Sequence, residues 1–328
     1  MAHRFITDMQ PGEQIEDQTF LIRSKDLRTT NQGSLYVHVI LADKTGQLPA
    51  RIWQATEAMF NALPEGGFIN LKGRTESYKG SLQFIIGAIR TVDLATVDLG
   101  DFLPKTDRNI DEMESRLREI LAGIEHPDLA ALVREFLDDK ELMTLFCRSA
   151  AAVTMHHACV GGLLEHTLNI LEVVLKVVPL YPKLSLDLML AGAFLHDSGK
   201  ALELQSQTNI AYTDEGQLIG HIVQATVLIE NKVRVVAEKT GKPFPDGLRI
   251  VLEHMVLSHH GCYEFGSPKL PAIPEAIALH HLDNLDAKVN MFLTLIESDP
   301  DAESHWTNYQ RSLETKLYKV DPMGIRKG

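Results

Sequence analysis

The stretch GAFLHDSGKALEL, residues 192–204, places an imidazole and a carboxylate side by side at the end of an apolar run. His196 and Asp197 follow that run directly, and Lys200 comes four residues after His196. Burying such groups is costly unless they are hydrogen-bonded, paired or bound to a metal. The stretch therefore predicts a buried helix end whose polar groups meet either neighbouring side chains or a metal and a phosphate.

The sequence around this stretch has the apolar spacing of helices from about residue 150 to residue 310. Segments such as LLEHTLNILEVVLKVV and HIVQATVLIENKVRVVAEKTG repeat this spacing, and no alternation typical of strands interrupts them. We expect an all-α domain over 151–312 and a C-terminal tail over 313–328. The polar segment 201–220 is expected to form a loop over the site.

Residues 15–95 have the opposite pattern, with β-branched and aromatic runs such as SLYVHVILAD separated by turn signals. Five predicted strands, with a short helix between the third and the fourth, have the order of a small barrel of the OB type. We therefore predict a multi-domain α and β protein. An OB-fold nucleic-acid-binding domain covers 1–98, and a helical connector over 99–150 joins it to the all-α domain.

OB domains bind single strands through exposed aromatic rings and cations. This part of the chain offers several such side chains, about half of which are expected to belong to the core or to ordinary surface. The candidates are Tyr36, Trp53, Arg74, Tyr78 and Lys79, together with Arg51 and Phe84.

Composition excludes several classes of protein. The chain has 328 residues, enough for about two domains, and its 45% hydrophobic content is ordinary for a globular protein. It has no apolar run long enough to span a membrane, no secretory signal core, and three scattered cysteines typical of free thiols. We expect a cytoplasmic protein without a membrane partner.

Charge argues against a protein that coats nucleic acid through its overall field, because the net charge is −12. The charge is uneven, however. Residues 1–100 hold 10 Lys and Arg against 11 Asp and Glu, a net charge of −1, so the rest of the chain carries −11. Any binding of a polyanion by the N-terminal domain is therefore expected to be local.

Histidine and aspartate side chains are the strongest signal in the sequence. Most of the 14 histidines lie between residues 156 and 281, near the ends of predicted helices. Imidazole and carboxylate ligands suit Zn, Mn, Fe, Co or Ni. Because about four to six ligands saturate one ion, the set predicts two ions, or one ion and a phosphate-binding shell. Its members are His166, His196, Asp197, His221, His259, His260 and Asp283.

This ordered pattern, H…HD…D on predicted helices, resembles the HD superfamily of metal-dependent phosphohydrolases. The resemblance implies that His166, the doublet His196-Asp197 and Asp283 bind metal. Two-metal members have further histidines, which His221 and the pair His259-His260 match. Lys200 fits the HDxGK form, in which the lysine lies near the substrate phosphate.

An OB domain that precedes an HD domain resembles the YhaM-type 3′→5′ exoribonucleases. The similarity covers roughly residues 15–310 and is carried by stretches such as YTDEGQLIGHI, LSHHGCYEFGSPKLP and LHHLDNLDAKVN. It implies a metal-dependent phosphodiesterase that acts on single-stranded RNA.

Phosphodiester hydrolysis explains why these residue types are needed, since bound cations neutralise phosphate charge and activate water. Asp197 is the natural bridge between two ions because a carboxylate has two oxygens. The remaining ligands then divide into His166, His196 and Asp283 for one ion, and His221, His259 and His260 for the other. We assign catalytic roles to Asp197 and Lys200, and substrate contacts to Lys200 and His280. Asp286 competes with Asp283 as a ligand, and the resemblance favours Asp283.

Three functional hypotheses follow. The first is a 3′→5′ exoribonuclease that acts on single-stranded RNA, with single-stranded DNA as a further substrate, and releases nucleoside 5′-monophosphates. It uses one or two divalent ions. Mn²⁺ is expected from the resemblance, and Co²⁺, Fe, Ni²⁺ and Zn²⁺ also suit these ligands. The protein could also form a homo-oligomer. The alternative is an HD-type nucleotidase or cyclic-(di)nucleotide phosphodiesterase, which needs no polymer-binding module. The third, a regulator with a decayed HD domain, has no support because every motif position is filled.

Overall fold

A computed structural model of the chain describes residues 3–30, 32–78, 81–93, 96–153, 157–206, 210–299, 301 and 303–325. The chain divides into two units. One comprises Met1–Lys105 with Ser206–Ile210, and the other comprises Thr106–Gln205 with Ala211–Gly328.

Five strands of the first unit close into a barrel in the order β1-β2-β3-β5-β4. Neighbouring strands pair antiparallel except β3 and β5, whose parallel pairing closes the barrel. A short helix, α1, lies between the third and fourth strands, so the predicted OB fold is confirmed. The elements are β1 (Gln14–Thr29), β2 (Leu35–Asp43), β3 (Gly46–Trp53), α1 (Glu57–Ala62), β4 (Phe68–Tyr78) and β5 (Ser81–Val92).

Alternation along β2 separates the barrel core from its outer face. Val37, Val39 and Leu41 are fully buried, whereas the residues between them are partly exposed. In β5 the alternation fails, because four consecutive residues from Gln83 to Ile86 are buried. Phe84 is 0% exposed and belongs to the core. Its prediction as a base-stacking residue is therefore wrong.

Helices dominate the second unit, as predicted for an all-α domain. The helices are α2 (Ile110–Leu121), α3 (Pro127–Leu137), α4 (Lys140–Arg148), α5 (Gly162–Val177), α6 (Leu186–Leu195), α7 (Lys200–Glu203), α8 (Asp214–Ile219), α9 (His221–Thr240), α10 (Asp246–Ser258) and α11 (Pro274–Glu297). In the part of the chain that the structure describes, no helix combines the length and apolar character needed to cross a bilayer.

The boundary between the units differs from the one predicted at 98/99. Phe102 and Leu103 are buried, and Phe102 packs edge-on against Phe68 of the barrel at 4.9 Å between ring centroids. The helices of the predicted connector share one hydrophobic core with α5 and α6. Residues 106–150 are therefore part of the helical unit.

The segment 201–220 is more ordered than the predicted loop. It contains α7, two short strands, β6 (Leu204–Ser206) and β7 (Ile210–Tyr212), and then α8. The expectation that strands are absent from 150–310 is therefore wrong for these few residues, which are too short for a periodic pattern. The segment 306–318 is also folded, since bridges join Trp306 to Tyr318 and Gln310 to Thr315.

Candidate metal centre

The stretch around the HD doublet lies at the end of the most apolar helix of the unit. Every residue of α6 from Leu188 to Leu195 is buried. This helix carries His196 and Asp197 into the interior, where they are 0% and 1% exposed. Groups of this kind need compensating partners at such a depth.

Four histidines surround the carboxylate of Asp197. Nε2 of His221 and Nε2 of His259 each lie 3.5 Å from Oδ1 of Asp197. The other oxygen, Oδ2, lies 3.3 Å from Nε2 of His196 and 3.6 Å from Nε2 of His166. The two carboxylate oxygens thus face two different pairs of imidazoles.

The remaining predicted ligands complete these two groups. Oδ1 of Asp283 lies 3.2 Å from Nε2 of His166 and 4.0 Å from Nε2 of His196. The ring of His260 lies 4.3 Å from that of His259 and 5.3 Å from that of His221, centroid to centroid. All of the metal ligands predicted from the sequence are therefore brought together in one cluster.

The end of α10 explains how adjacent histidines join the same cluster. The helix ends at Ser258, and Gly261 has a φ of +79°, in the left-handed region. A Cβ on Gly261 would lie 2.2 Å from the ring of His280, so only glycine fits there. His280 in turn contacts the carbonyl oxygen of His259 through Nδ1 at 2.8 Å.

Backbone carbonyls orient three of the imidazoles. Nδ1 of His196 lies 2.8 Å from the Ala193 oxygen, Nδ1 of His259 lies 2.6 Å from the Val256 oxygen, and Nδ1 of His260 lies 2.8 Å from the Phe265 oxygen. A proton donated from Nδ1 leaves Nε2 as the lone-pair nitrogen. This arrangement is common for metal-binding histidines.

Carboxylates orient the other two imidazoles, and the sequence did not predict this. Oδ2 of Asp286 lies 2.7 Å from Nδ1 of His166 and 2.9 Å from Nε2 of His157. Asp286 thus contacts the ring nitrogen of His166 that faces away from Asp197. The sequence pattern indicates it only as an alternative metal ligand. Oε1 of Glu203 lies 3.1 Å from Nδ1 of His221. In the sequence, the i, i+3 spacing of Asp283 and Asp286 was the one feature that could have indicated a second carboxylate near the metal ligands.

Several nitrogen and oxygen atoms of the cluster that could coordinate a metal have no hydrogen-bond partner among the described residues. They are buried and lie around the carboxylate of Asp197: His196 Nε2, His221 Nε2, His259 Nε2 and Oδ1 of Asp197 itself. Leaving even one such atom unsatisfied costs about 1–3 kcal/mol. Donors that share one ion at about 2.0–2.2 Å lie roughly 3–3.5 Å apart, close to the separations around Asp197. The donor set therefore fits a bound divalent cation.

Three members of the cluster have protonation states that suit a cation. Burial opposes ionisation of Asp197, but the charge of Lys200 and the neighbouring His196 outweigh it and hold the pKa well below its usual range. Burial lowers the pKa of His259, and burial beside His259 lowers the pKa of His260 to about 3. An anionic carboxylate and neutral imidazoles are the forms that bind metals.

His166 differs from these three members of the cluster. Burial lowers its pKa, but its contacts with Asp283 and Asp286 outweigh this and raise the pKa to about 9. A cation therefore has to displace a proton there.

Lys200 lies beside the cluster and is mostly buried. Its Nζ donates a hydrogen bond of 2.7 Å to Oδ2 of Asp197. Burial lowers the pKa of Lys200, but the charges of Asp197 and Asp283 more than offset this, so the pKa is raised and the group stays cationic.

A cavity of about 280 Å³ opens onto the cluster. Its wall includes Asp197, Lys200, His259, His260, Phe265, His280, Asp283, Asn284, Ala287, Lys288, Met291 and Ser312. A small anionic group can therefore reach both the candidate ligands and the cations beside them.

Comparison with known proteins agrees with this geometry. The family model HD domain matches residues 163–288. The 3'-5' exoribonuclease YhaM of Halalkalibacterium halodurans is 35% identical over 295 residues, which cover 90% of this chain and 89% of the relative. The chain belongs to the YhaM family. A second YhaM, from Geobacillus sp., is 34% identical over 293 residues, which cover 89% of this chain and 88% of the relative.

Membership of the YhaM family, together with the HD domain, makes this chain a hydrolase. The HD domain also implies dependence on a divalent metal, which the His and Asp clusters of the centre can bind. Among solved structures, a domain of replication protein A from Methanococcus maripaludis covers 28% of this chain, and 97% of that domain is covered, at 15% identity and a TM-score of 0.24.

The barrel of this YhaM family member has an aromatic cluster on its outer face. The rings of Tyr36 and Trp53, which are opposite each other on β2 and β3, lie 5.1 Å apart. The Arg51 guanidinium lies 5.5 Å from the Trp53 ring and 4.8 Å from the Tyr78 ring. Arg51 on β3 and Arg74 on β4 are both paired with Ile85 of β5, so the two arginines lie at the same level across the sheet. Lys79 lies outside the described residues.

We expect Asp286→Asn to weaken metal binding by about 10- to 100-fold, the usual effect of losing a partner that orients a ligand. A neutral amide cannot replace the charged acceptor shared by His157 and His166. The apparent Mn²⁺ constant from metal titration of the hydrolysis rate measures this. Asp246→Asn is the matched control, since that side chain is 87% exposed. Equal Mn²⁺ constants for the two variants contradict a role of Asp286 in holding His166.

Proposed function

We propose that this chain is a metal-dependent 3′→5′ exoribonuclease that degrades single-stranded RNA to nucleoside 5′-monophosphates. One observation carries this proposal. Unpartnered buried donors converge on both oxygens of Asp197, in a chain similar over most of its length to proteins named 3'-5' exoribonucleases. Single-stranded DNA is included as a second substrate, and a cytoplasmic location and a homo-oligomer stay predictions.

We assign the metal ligands to two groups that share Asp197. The first contains His166, His196 and Asp283, and the second contains His221, His259 and His260. The split is supported by the two carboxylate oxygens of Asp197, each of which faces one pair of imidazoles. Divalent cations held there supply charge neutralisation of the phosphate and lower the pKa of water from 15.7 towards about 7. Mn²⁺ is the ion that we expect.

The residues beside the ligands hold and orient the substrate. Lys200 keeps its proton and can donate to a non-bridging phosphate oxygen, since it already lies at the cavity wall. His280 braces the turn that carries His259 and also lines the cavity, where its ring can contact the sugar or the phosphate. Asp286 and Glu203 act as positioning residues because they contact imidazoles on the side away from the cluster.

The barrel is proposed to hold the RNA strand through the aromatic cluster around Arg51. Tyr36, Trp53 and Tyr78 offer rings on which successive bases can stack, and Arg51 and Arg74 offer phosphate contacts. The small net charge of the N-terminal region limits this to a local patch. This arrangement favours a polymer over a cyclic dinucleotide as substrate.

We expect Trp53→Ala to weaken binding of a labelled oligouridine by about 5- to 150-fold, because one base–ring stack contributes about 1–3 kcal/mol. Fluorescence anisotropy in the presence of EDTA, which prevents hydrolysis, measures the dissociation constant. Tyr181→Ala removes another exposed ring, from the helical unit, and is the control. Binding within twofold of the wild type for both variants excludes the proposed stacking.

The proposed function is tested with a matrix of metals and substrates. Mn²⁺, Co²⁺, Mg²⁺, Zn²⁺ and Ni²⁺ are each combined with 5′-labelled single-stranded RNA, single-stranded DNA and a cyclic dinucleotide. A ladder that shortens from the 3′ end, with 5′-monophosphates as products, is expected on RNA with Mn²⁺. Hydrolysis of the cyclic dinucleotide without degradation of RNA overturns the proposal in favour of a small-molecule phosphodiesterase.

A further inference from the structure

One face of α11 lines the cavity beyond the metal ligands. The residues on this face follow the spacing i, i+3, i+4, i+7, i+8 and i+11, which places them in a stripe along the helix. They are His280, Asp283, Asn284, Ala287, Lys288 and Met291. The stripe leads from the cluster, at Asp283, to the exposed Lys288.

The two lysines of the cavity wall differ in their partners. Lys200 is held by Asp197 at 2.7 Å. The side chain of Lys288 has no hydrogen bond and no carboxylate within 4.0 Å among the described residues. Lys288 lines the cavity, and its ammonium group is available for an anion because it has no acidic partner among the described residues.

Lys288 is placed at a distance that suits a second phosphate. Lys288 comes five positions after Asp283, which is about 7.5 Å along the helix axis at 1.5 Å per residue. A strand whose scissile phosphate lies at the cluster has its next phosphate one nucleotide away. The flexible four-carbon side chain of a lysine can make up the difference between the position of its backbone on α11 and the position of that phosphate.

Phe265 adds an apolar surface to the same cavity. Its side chain is 62% exposed, and its carbonyl oxygen contacts Nδ1 of His260, which ties this turn to the cluster. A cavity of about 280 Å³ is close in size to the smallest pockets that bind small ligands. A phosphate-binding lysine and an aromatic ring are what a single nucleotide unit requires.

We propose, resting on the exoribonuclease function above, that Lys288 binds the phosphate one nucleotide to the 5′ side of the scissile phosphate. The nucleoside between the two phosphates lies in the cavity beside Phe265. Lys288 thereby makes the site favour a polynucleotide, which has this further phosphate, over an isolated phosphodiester. It is a specificity-determining residue and takes no part in the bond-breaking step.

A thermodynamic cycle between the residue and the phosphate tests this assignment. Wild type and Lys288→Ala are assayed on an oligoribonucleotide and on the same oligomer with one neutral methylphosphonate at the linkage 5′ to the scissile phosphate. We expect either change alone to lower kcat/KM at least about tenfold, mainly through KM, as for a hydrogen bond to a charged group. The two changes together are expected to lower it no further.

Salt dependence provides a second readout that a merely structural role would not move. The slope of log KM against log salt concentration is expected to fall by about 0.7 in Lys288→Ala, the contribution of one phosphate contact to single-strand binding. Lys288→Arg is expected to restore most of the KM and of the slope. Lys183→Ala, which removes an exposed lysine outside the cavity wall, is expected to keep both at the wild-type values.

If the combined change lowers kcat/KM by the product of the two single effects, Lys288 and that phosphate act independently, and the inference is overturned. An unchanged KM for Lys288→Ala overturns it as well. A wild-type protein that degrades no RNA in any metal is a different result, because it rejects the exoribonuclease function before Lys288 is tested. The two failures are therefore distinguishable.

Discussion

Replacing Asp197 by asparagine is expected to lower the rate of RNA hydrolysis at least about a thousandfold. Among the described residues, Asp197 is the side chain whose two oxygens face both groups of imidazoles, at 3.3–3.6 Å. Asparagine keeps the shape but removes the negative charge that offsets the cations. A loss of about 4 kcal/mol of transition-state stabilisation corresponds to this factor, and bound metals contribute several kcal/mol.

Single-turnover rates on 5′-labelled RNA, at saturating Mn²⁺, measure the effect of Asp197→Asn, and metal analysis of the purified protein is expected to show less bound ion. Asp246→Asn is again the control with the same chemical change at an exposed position. Circular dichroism establishes that the helices are intact. A rate for Asp197→Asn within tenfold of the wild type would falsify the assignment of this cluster as the catalytic centre.

Replacing Gly199 by alanine is expected to have the largest effect on stability. Gly199 has ordinary helical angles, with φ −66° and ψ −22°, so its requirement for glycine is purely steric. A Cβ there would lie 2.0 Å from the His221 oxygen and 2.8 Å from the Ala225 nitrogen. Both are backbone atoms of α9, so the turn after the HD doublet must move away from that helix.

We expect this movement to lower the free energy of unfolding by about 3 kcal/mol, the upper end of the cost of overpacking. The melting temperature of the helical signal then falls by roughly 6–12 °C. Metal affinity falls too, because His221 and Asp197 lie on the two sides of the contact.

Gly247→Ala is the matched control for Gly199→Ala. It also lies in the helical unit, at the second residue of α10, and a Cβ there would meet nothing within 4 Å. Alanine is the better helix former, so this variant is expected to be as stable as the wild type or more stable by about 0.5–1 kcal/mol. Thermal unfolding followed by circular dichroism compares the two. Melting temperatures within 2 °C of each other are inconsistent with the close approach at Gly199.

The strand order of the barrel and the residues that form the His and Asp cluster were predictable, because both follow from patterns within the sequence. Alternation and turn signals identify each strand. Five strands with one short helix between the third and the fourth match the order of an OB fold. The HD doublet follows the end of α6, and the other candidate ligands stand at positions that the family pattern marks. The failure at Phe84 has a local cause, since a run of buried residues in β5 hides the alternation on which the prediction depended.

The residues that orient the ligands could not be predicted in the same way. Glu203 is separated from His221 by a segment that was expected to be a loop, and only the turn back through α8 brings the two together. The backbone carbonyls that hold His196, His259 and His260 are invisible in a sequence, because every residue has one.

The sequence by itself determined which side chains can bind metal and which part of the chain forms the barrel, since both depend on residue type and period. Only the tertiary structure decided how these side chains are used. It turned Asp286 to the far side of His166, gave Asp197 one oxygen for each pair of histidines, and left Lys288 without an acidic partner in the described part of the chain. The physical reason is that a nitrogen or an oxygen acquires its role from the atoms within about 3.5 Å of it, and helices distant in the sequence supply most of those atoms.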